Sequence, residues 1–379
     1  MVDKANLPGH IESGCLKVGV VIGYGSGLEK RRSYWFKRIK MNLNYSLKWH
    51  GPGDQINLAE IRRAGASGVV TALHDLPHGA VWPMEMIKER KQLIEKEGLN
   101  WTVAENVPVH EAIKSRTNNF DLFINNYRKT LRNLSANGVR TICYNFMPFW
   151  DWGRIKLEQR SAGQLFYFDW VDLAVFDLKV LGREEKGRRY GEGFMEKVEA
   201  RFEGMSAKRL ETLAGLMLND MPKEERLAIK KFQEDLEQYE NMGGEGLRKN
   251  LISFLNDIGD VCEQEGVQMA IRPDPPYPVF GLPKIVSDQS SLEEILNAER
   301  RPFNGICFCT ASLGEDKGND LSAILKVMGD RVYLAHLGKV NSLTKGEFSE
   351  SGHLDGDLDM YSILSELIQL NYGRKRGLS

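Results

Sequence analysis

The chain lacks several features that would narrow its class at once. It has almost no net charge: 51 Lys plus Arg stand against 52 Asp plus Glu, giving −1 with histidine neutral. A balance of that kind sets up no basic field to recruit nucleic acid or an anionic membrane. Cysteine is sparse, with five in 379 residues (Cys15, Cys143, Cys262, Cys307 and Cys309). An odd, scattered set does not build a disulfide framework, so these residues read as core filler or as ligands. There is no long apolar run near the start. Val18 to Ile22 is interrupted by Gly19 and preceded by Lys17, too short to cross a membrane and poor as a signal peptide, so the expected location is cytoplasmic. Low-complexity tracts are also missing, and with 42% hydrophobic and 27% charged residues disorder and fibre are excluded.

What the chain does have is rhythm. From about residue 44 onward, short β-branched apolar runs alternate with longer segments of helical period, the pattern of repeated β-α units around a parallel sheet. Strands are predicted at Tyr45 to Trp49, Gly68 to Leu73, Leu99 to Glu105, Val139 to Tyr144, Val267 to Ile271, Ile306 to Cys309 and Val332 to His336. Between them lie helices such as Pro83 to Glu97 and the stripe Phe120, Phe123, Ile124, Tyr127, Leu131 and Leu134. Residues 155–245 break the rhythm with charged, helix-prone sequence and read as a helical insertion, a lid or an interface. The seven predicted strands are one fewer than a closed barrel of this kind requires. In the N-terminal extension, residues 1–43, the segment at 16–22 (Leu16 to Ile22) is apolar enough to supply the eighth, because the first and last staves of a ring are neighbours. Residues 44–379 are assigned to the barrel and its insertion.

A barrel builds its site at the carboxyl ends of the strands. The polar residues there are Trp49, His50, His74, Asp75, Glu105, His110, Asn145, Arg272, Asp274, Cys309 and His336. Cys309 and His336 carry the most weight. They close consecutive strands, and thiolate with imidazole is a donor pair suited to Mn, Fe or Zn; a buried thiol beside an unrelated rim histidine is the plain alternative. Trp152 and Arg154 could bind a polyhydroxy acid through a stacking face and a carboxylate fork, or form a salt-bridged surface turn. Asp355, Asp357 and Asp359 lack the closing glutamate of a calcium loop and read as an acidic cluster before a helix. Gly23, Gly25 and Gly27 complete no nucleotide-binding fingerprint.

The strings YSLKWHGPGD, GASGVVTALHDLPHGAVW, WTVAENVPVHEAIK, RTICYNFMPFWDWGR, FGLPKIVS, FCTASLG and HLDGDLDMY, spread from about residue 44 to 370, together resemble the mannonate dehydratase family. The resemblance implies an α/β TIM-type (β/α)8 barrel of the xylose-isomerase kind, incompletely closed at the last strand unless the N-terminal segment fills the gap. It implies a cytoplasmic lyase of hexuronate breakdown that converts D-mannonate to 2-dehydro-3-deoxy-D-gluconate with Mn²⁺ or Fe²⁺. The partner is then a small sugar acid, with no nucleic acid or membrane, and the assembly a homo-oligomer. Cys309 and His336 match two of the family's His, Cys, His and Asp metal ligands. His353, Glu105 and Asp274 are the candidates for acid, base or substitute ligand, and His74, Asn145, Trp152, Arg154 and Arg272 for substrate binding.

The chain departs from the family pattern at stated places. Where the family reads HPDDPP, this sequence reads Arg272-Pro273-Asp274-Pro275-Pro276, and a guanidinium has no lone pair to offer a cation. The RPDHG string that carries the fourth ligand and the PGY segment with a catalytic tyrosine do not occur after residue 338, and Gly338 stands where an arginine is usual. Two other readings follow: a paralogue that binds sugar acids without turnover, and a sugar isomerase or epimerase, which the same fold supports.

Overall fold

In a computed structural model of the chain, the residues described are 18–21, 44–117, 119–148, 157–160, 163–191, 193–217, 229–274, 279–314, 316–344, 347–351 and 358–376. They form two compact units, one from the described parts of 153–220 and 339–356, the other from the remaining described residues.

The larger unit is the barrel. Its strands are β1 (Val18–Val21), β2 (Asn44–Lys48), β3 (Gly68–Thr71), β4 (Asn100–Glu105), β5 (Thr141–Tyr144), β8 (Gln268–Ile271), β9 (Asn304–Cys309) and β10 (Val332–Leu337). The ring order is β1-β10-β9-β8-β5-β4-β3-β2. Seven of these strands run parallel from β2 to β10 and coincide with the seven apolar runs of the sequence. β3, β5, β9 and β10 are buried along their whole length, which is why they read as continuous apolar runs instead of alternating ones. The fold is therefore a TIM-type α/β barrel with one substitution. No eighth parallel strand occurs among the described residues, and its place between β10 and β2 is held by β1, antiparallel to both, with Val18 opposite Leu337 on one side and Leu47 on the other.

Below the strand ends Val70, Cys143, Ala270, Cys307 and Leu334 pack as one buried cluster, the apolar plug of a filled barrel. Cys143, Cys262, Cys307 and Cys309 are all buried free thiols, and burial pushes the Cys307 thiol well up, so it stays protonated filler. Outside the ring, helix Met84–Lys96 buries Ile87, Arg90 and Ile94, and helix Phe120–Ala136 buries Ile124, Tyr127, Leu131 and Leu134 of the predicted stripe, while Phe120 and Phe123 are half-buried. Arg90 ties two strand ends together. Its Nη1 donates to the Ala72 carbonyl at 2.8 Å, and its guanidinium lies 5.3 Å from the Trp49 ring centre. Gly51 follows with φ 106°, where a Cβ would come within 3.0 Å of Arg90 Nη1, so both backbone and space require glycine. Helix Ile229–Glu265 is broken at Gly243, whose φ of 66° is left-handed. At the last helix, Met360–Arg376, Asp359 accepts from Ser362 N at 3.1 Å and so caps the start. Asp355 and Asp357 lie outside the described residues.

The smaller unit corrects the reading of residues 155–245 as helical throughout. β6 (Leu157–Arg160) and β7 (Gly163–Asp169) form a hairpin, and β7 continues into β12 (Glu347–Ser351) and β11 (Lys339–Thr344), giving an antiparallel sheet in the order β11-β12-β7-β6. β6–β7 and β11–β12 each pair locally, but the β7–β12 pairing joins segments far apart in the chain, which no local window contains. Helices Trp170–Val175, Phe194–Glu203 and Ala207–Met217 follow. Buried Asp172 of the first pairs with Arg201 and Arg209 of the other two, and fully buried Asp177, just after the first, accepts from Tyr190 Oη at 2.6 Å with Arg183 Nη1 at 3.2 Å.

Candidate active site

Four strand ends converge on one carboxylate. Glu105, the last residue of β4, is fully buried. His336 near the end of β10 brings Nε2 to 3.0 Å from its Oε2, Arg272 just past β8 brings Nη1 to 3.7 Å from Oε1, and Lys48 at the end of β2 brings Nζ to 3.9 Å from the same oxygen. Cys309 closes β9 beside β10 in parallel register with His336, and the two side chains are hydrogen-bonded. Each of these residues ends an apolar strand, so the fold itself draws the polar groups to one level.

The electrostatics follow from that crowding. Burial works against ionisation of Glu105, but His336, Lys48 and Arg272 outweigh it and hold the carboxyl well below its ordinary range. Burial disfavours an imidazolium at His336, yet the charge of Glu105 and the hydrogen bond to Cys309 carry it up to about 9. Burial would raise the Cys309 thiol. The bond from His336, the charges of His336 and Arg272 and a bond from Ser312 instead bring it down to about 6. At neutral pH the site therefore holds a thiolate, an imidazolium and a carboxylate in a row.

Asp274, two residues beyond Arg272, is buried, and its Oδ2 accepts from Ile285 N at 2.6 Å and Val286 N at 2.8 Å. Burial pushes its carboxyl up to about 6 against those two donors. Its Oδ1 is buried with no hydrogen-bond partner among the described residues. Such an acceptor, ionised just below neutrality, is suited to receive a proton.

The structure thus brings Glu105, Arg272, Cys309 and His336 together from the sequence-predicted set. Asn145 is buried directly after β5, while His74 is exposed beyond β3 with its ring 5.6 Å from that of His50. Trp152, Arg154 and His353 lie outside the described residues. His110 has an architectural part: its Nδ1 accepts from Ala112 N at 3.1 Å, at the start of helix Glu111–Ser115, and its ring stacks on Phe123. Sequence reasoning passed over Lys48 and Ser312. The only signal for Lys48 is a lone cation in an apolar strand, on the face that alternates with Leu47 and Trp49.

The donor set among the described residues does not by itself complete a divalent-metal site. Among the described residues no three His, Cys, Asp or Glu side chains are arranged to hold one. His336 Nε2 is turned to Glu105, and Arg272 stands where the family pattern has an imidazole, adding charge of the wrong sign.

Comparison with known proteins gives one consistent picture. Residues 41–376 match the family model for D-mannonate dehydratase (UxuA). The chain is 40% identical over 325 residues to a mannonate dehydratase of Saccharophagus degradans, covering 85% of this chain and 82% of that protein. It is 39% identical over 331 residues to one from a Marinomonas species, covering 86% and 85%. A crystal structure of mannonate dehydratase from Streptococcus suis serotype 2 superposes with a TM-score of 0.65 at 33% identity, covering 86% of this chain and 82% of that one.

Proposed function

The chain belongs to the D-mannonate dehydratase family, and from that premise we propose that it is a hydro-lyase that converts D-mannonate to 2-dehydro-3-deoxy-D-gluconate and water. The observation that carries the reading is the match of residues 41–376 to the family model, which spans every parallel strand of the barrel and thus the strand ends where the polar groups gather.

The reaction needs a proton taken from the carbon beside the carboxylate and a proton given to the hydroxyl on the next carbon. The electron pair left by the first forms the carbon–carbon double bond as the hydroxyl departs as water, and the resulting enol tautomerises to the 2-keto acid. We assign the base to Asp274, whose raised carboxyl is ionised at neutral pH yet more basic than an ordinary carboxylate. The acid is His336, kept protonated by Glu105 and Cys309. Glu105 is a positioning residue here. It is too strongly held as an anion to act as a base, and its part is to keep the imidazole charged and oriented. Asn145 and His74, with Trp152 and Arg154, are assigned to the hydroxyls and the sugar face. No helix among the described residues is long and apolar enough to cross a membrane. Free buried thiols and the even charge balance support the cytoplasmic placement.

The test is direct. Purified full-length protein is incubated with D-mannonate, and the 2-keto acid is followed by NMR. Release of 2-dehydro-3-deoxy-D-gluconate is the expected result, and no product at high enzyme concentration, with and without added Mn²⁺, overturns it.

A further inference from the structure

The parallel ladder between β9 and β10 ends at the site itself, because Cys309 opposite His336 is its last pair. Beyond that pair β10 has little of its own to hold it. Leu337 closes the strand, Gly338 follows, and at Lys339 the chain has already entered β11 of the other sheet. The acid of the proposed reaction thus stands one residue from the end of its strand, with a single glycine before the chain changes sheet.

Thr310 supplies what the ladder does not. It follows Cys309 directly, opens helix Thr310–Gly314 and is buried. Its Oγ1 accepts from Gly338 N at 3.0 Å, and its hydroxyl proton faces two carbonyl oxygens, that of Gly338 at 2.6 Å and that of His336 at 3.2 Å. A hydroxyl has one proton to give and two lone pairs to offer, so it answers both backbone groups of Gly338 at once, as a neighbouring strand would. The side chain stands in for the missing rung, on the stretch of backbone that carries His336. Ser312, two residues on, bonds to Cys309. The string FCTASLG therefore braces both members of the thiol–imidazole pair, Cys309 through Ser312 and His336 through Thr310.

The position of the imidazole is what such a brace protects. His336 Nε2 lies 3.0 Å from Glu105 Oε2. A general acid works only within hydrogen-bond reach of the group it protonates, and a misplacement of about 1 Å costs on the order of a hundredfold in rate.

We propose that Thr310 is a positioning residue for His336: its hydroxyl fixes the backbone from His336 to Gly338 against the end of β9 and so holds the imidazole where it reaches Glu105 and the substrate. The part of His336 as acid rests on the dehydratase reading; its placement rests on the three hydrogen bonds of Thr310 and on the register with Cys309.

The experiment compares the full-length chain with Thr310→Val, which keeps the shape and removes the hydroxyl, and with Thr310→Ser, which keeps the hydroxyl. With D-mannonate as substrate, kcat should fall about thirtyfold in the Val variant with KM changed less than about threefold, and the Ser variant should return to within about threefold of wild type. In ¹⁵N-histidine NMR the His336 signal, assigned by its loss in His336→Gln, should move in the Val variant and keep its place in the Ser variant. The wild type alone gives a second check, so a Val variant that misfolds does not remove the test. The Gly338 amide lies outside the ladder, yet it should exchange with solvent about a hundredfold more slowly than an open amide. A Val variant that melts earlier but turns over as fast as wild type, a KM that rises as much as kcat falls, a Ser variant no better than Val, or a freely exchanging Gly338 amide overturns the proposal. A wild type that does not convert D-mannonate overturns the dehydratase reading instead, and the proposal then stands or falls on the His336 signal and the Gly338 amide.

Discussion

Replacing Glu105 with Gln keeps the volume of the side chain and removes its charge, so it isolates what the buried anion does. Its nearest cation is His336, 3.0 Å away, whose imidazole titrates at about 9 against an ordinary 6.5. That difference corresponds to about 3 kcal/mol of stabilisation. Because the folded value is raised, the contribution is complete below the unfolded value of 6.5 and is lost as pH rises through about 9. Glu105 sets the other side. Its folded value is depressed, so its contribution is present above the ordinary 4.5 and is lost as pH falls through the lower folded value. Between those limits the wild type has its full advantage. In Glu105→Gln the imidazole keeps Cys309 but faces burial and the Arg272 and Lys48 charges without the carboxylate. Its midpoint should fall by about two units. The variant should be about 3 kcal/mol less stable near pH 7, since a buried ion cluster has lost its anion, and the gap should narrow at about pH 10. Urea unfolding at both pH values and NMR titration of the imidazoles in chelator-treated protein measure the two effects. An unchanged His336 midpoint, or an equal loss of stability at both pH values, would refute the electrostatic account.

Three further outcomes are expected. Asp274→Asn should lower kcat by about a hundredfold or more and abolish the acidic limb of the pH–rate profile, which in the wild type is centred at about 6. Since a raised carboxyl value means that ionisation opposes folding above that pH, the same variant should be no less stable at neutral pH in a thermal melt. Gly305→Ala places a Cβ 2.3 Å from Tyr333 Cε2 and 2.4 Å from the Arg331 carbonyl oxygen, and calorimetry should show a loss of about 1–3 kcal/mol. Asp177→Asn leaves Arg183 and Arg189 facing a neutral group in a fully buried position, and a loss of about 3 kcal/mol is expected in chemical denaturation.

The parallel strands were legible because burial on both faces writes them as unbroken apolar runs such as VRTICY and NGICFC, and the strand-end rule then points to Glu105, Arg272, Cys309 and His336. Lys48 was not legible. It ends β2 but lies within the apolar run Tyr45 to Trp49 that the sequence shows, and only the register of the barrel brings it to Glu105. The elevated carboxyl of Asp274 depends on backbone donors Ile285 and Val286, more than ten residues further on, which no motif announces. The β7–β12 pairing of the smaller unit stayed hidden for the same reason of distance, since the segment carrying β8, β9 and β10 lies between them. That Leu16 to Ile22 could be a strand is visible in its composition, but its direction is not, because direction is decided by where the chain must go next.

The reversed stave has a consequence for how the molecule is made. β1 precedes β2 in the chain and pairs with it, Val21 lying opposite Asn44, yet its other neighbour, the strand that carries Leu337, follows all the other staves of the ring. Until β10 is in place, β1 and the last strand formed each present an open edge, and pairing of β10 with β1 removes both.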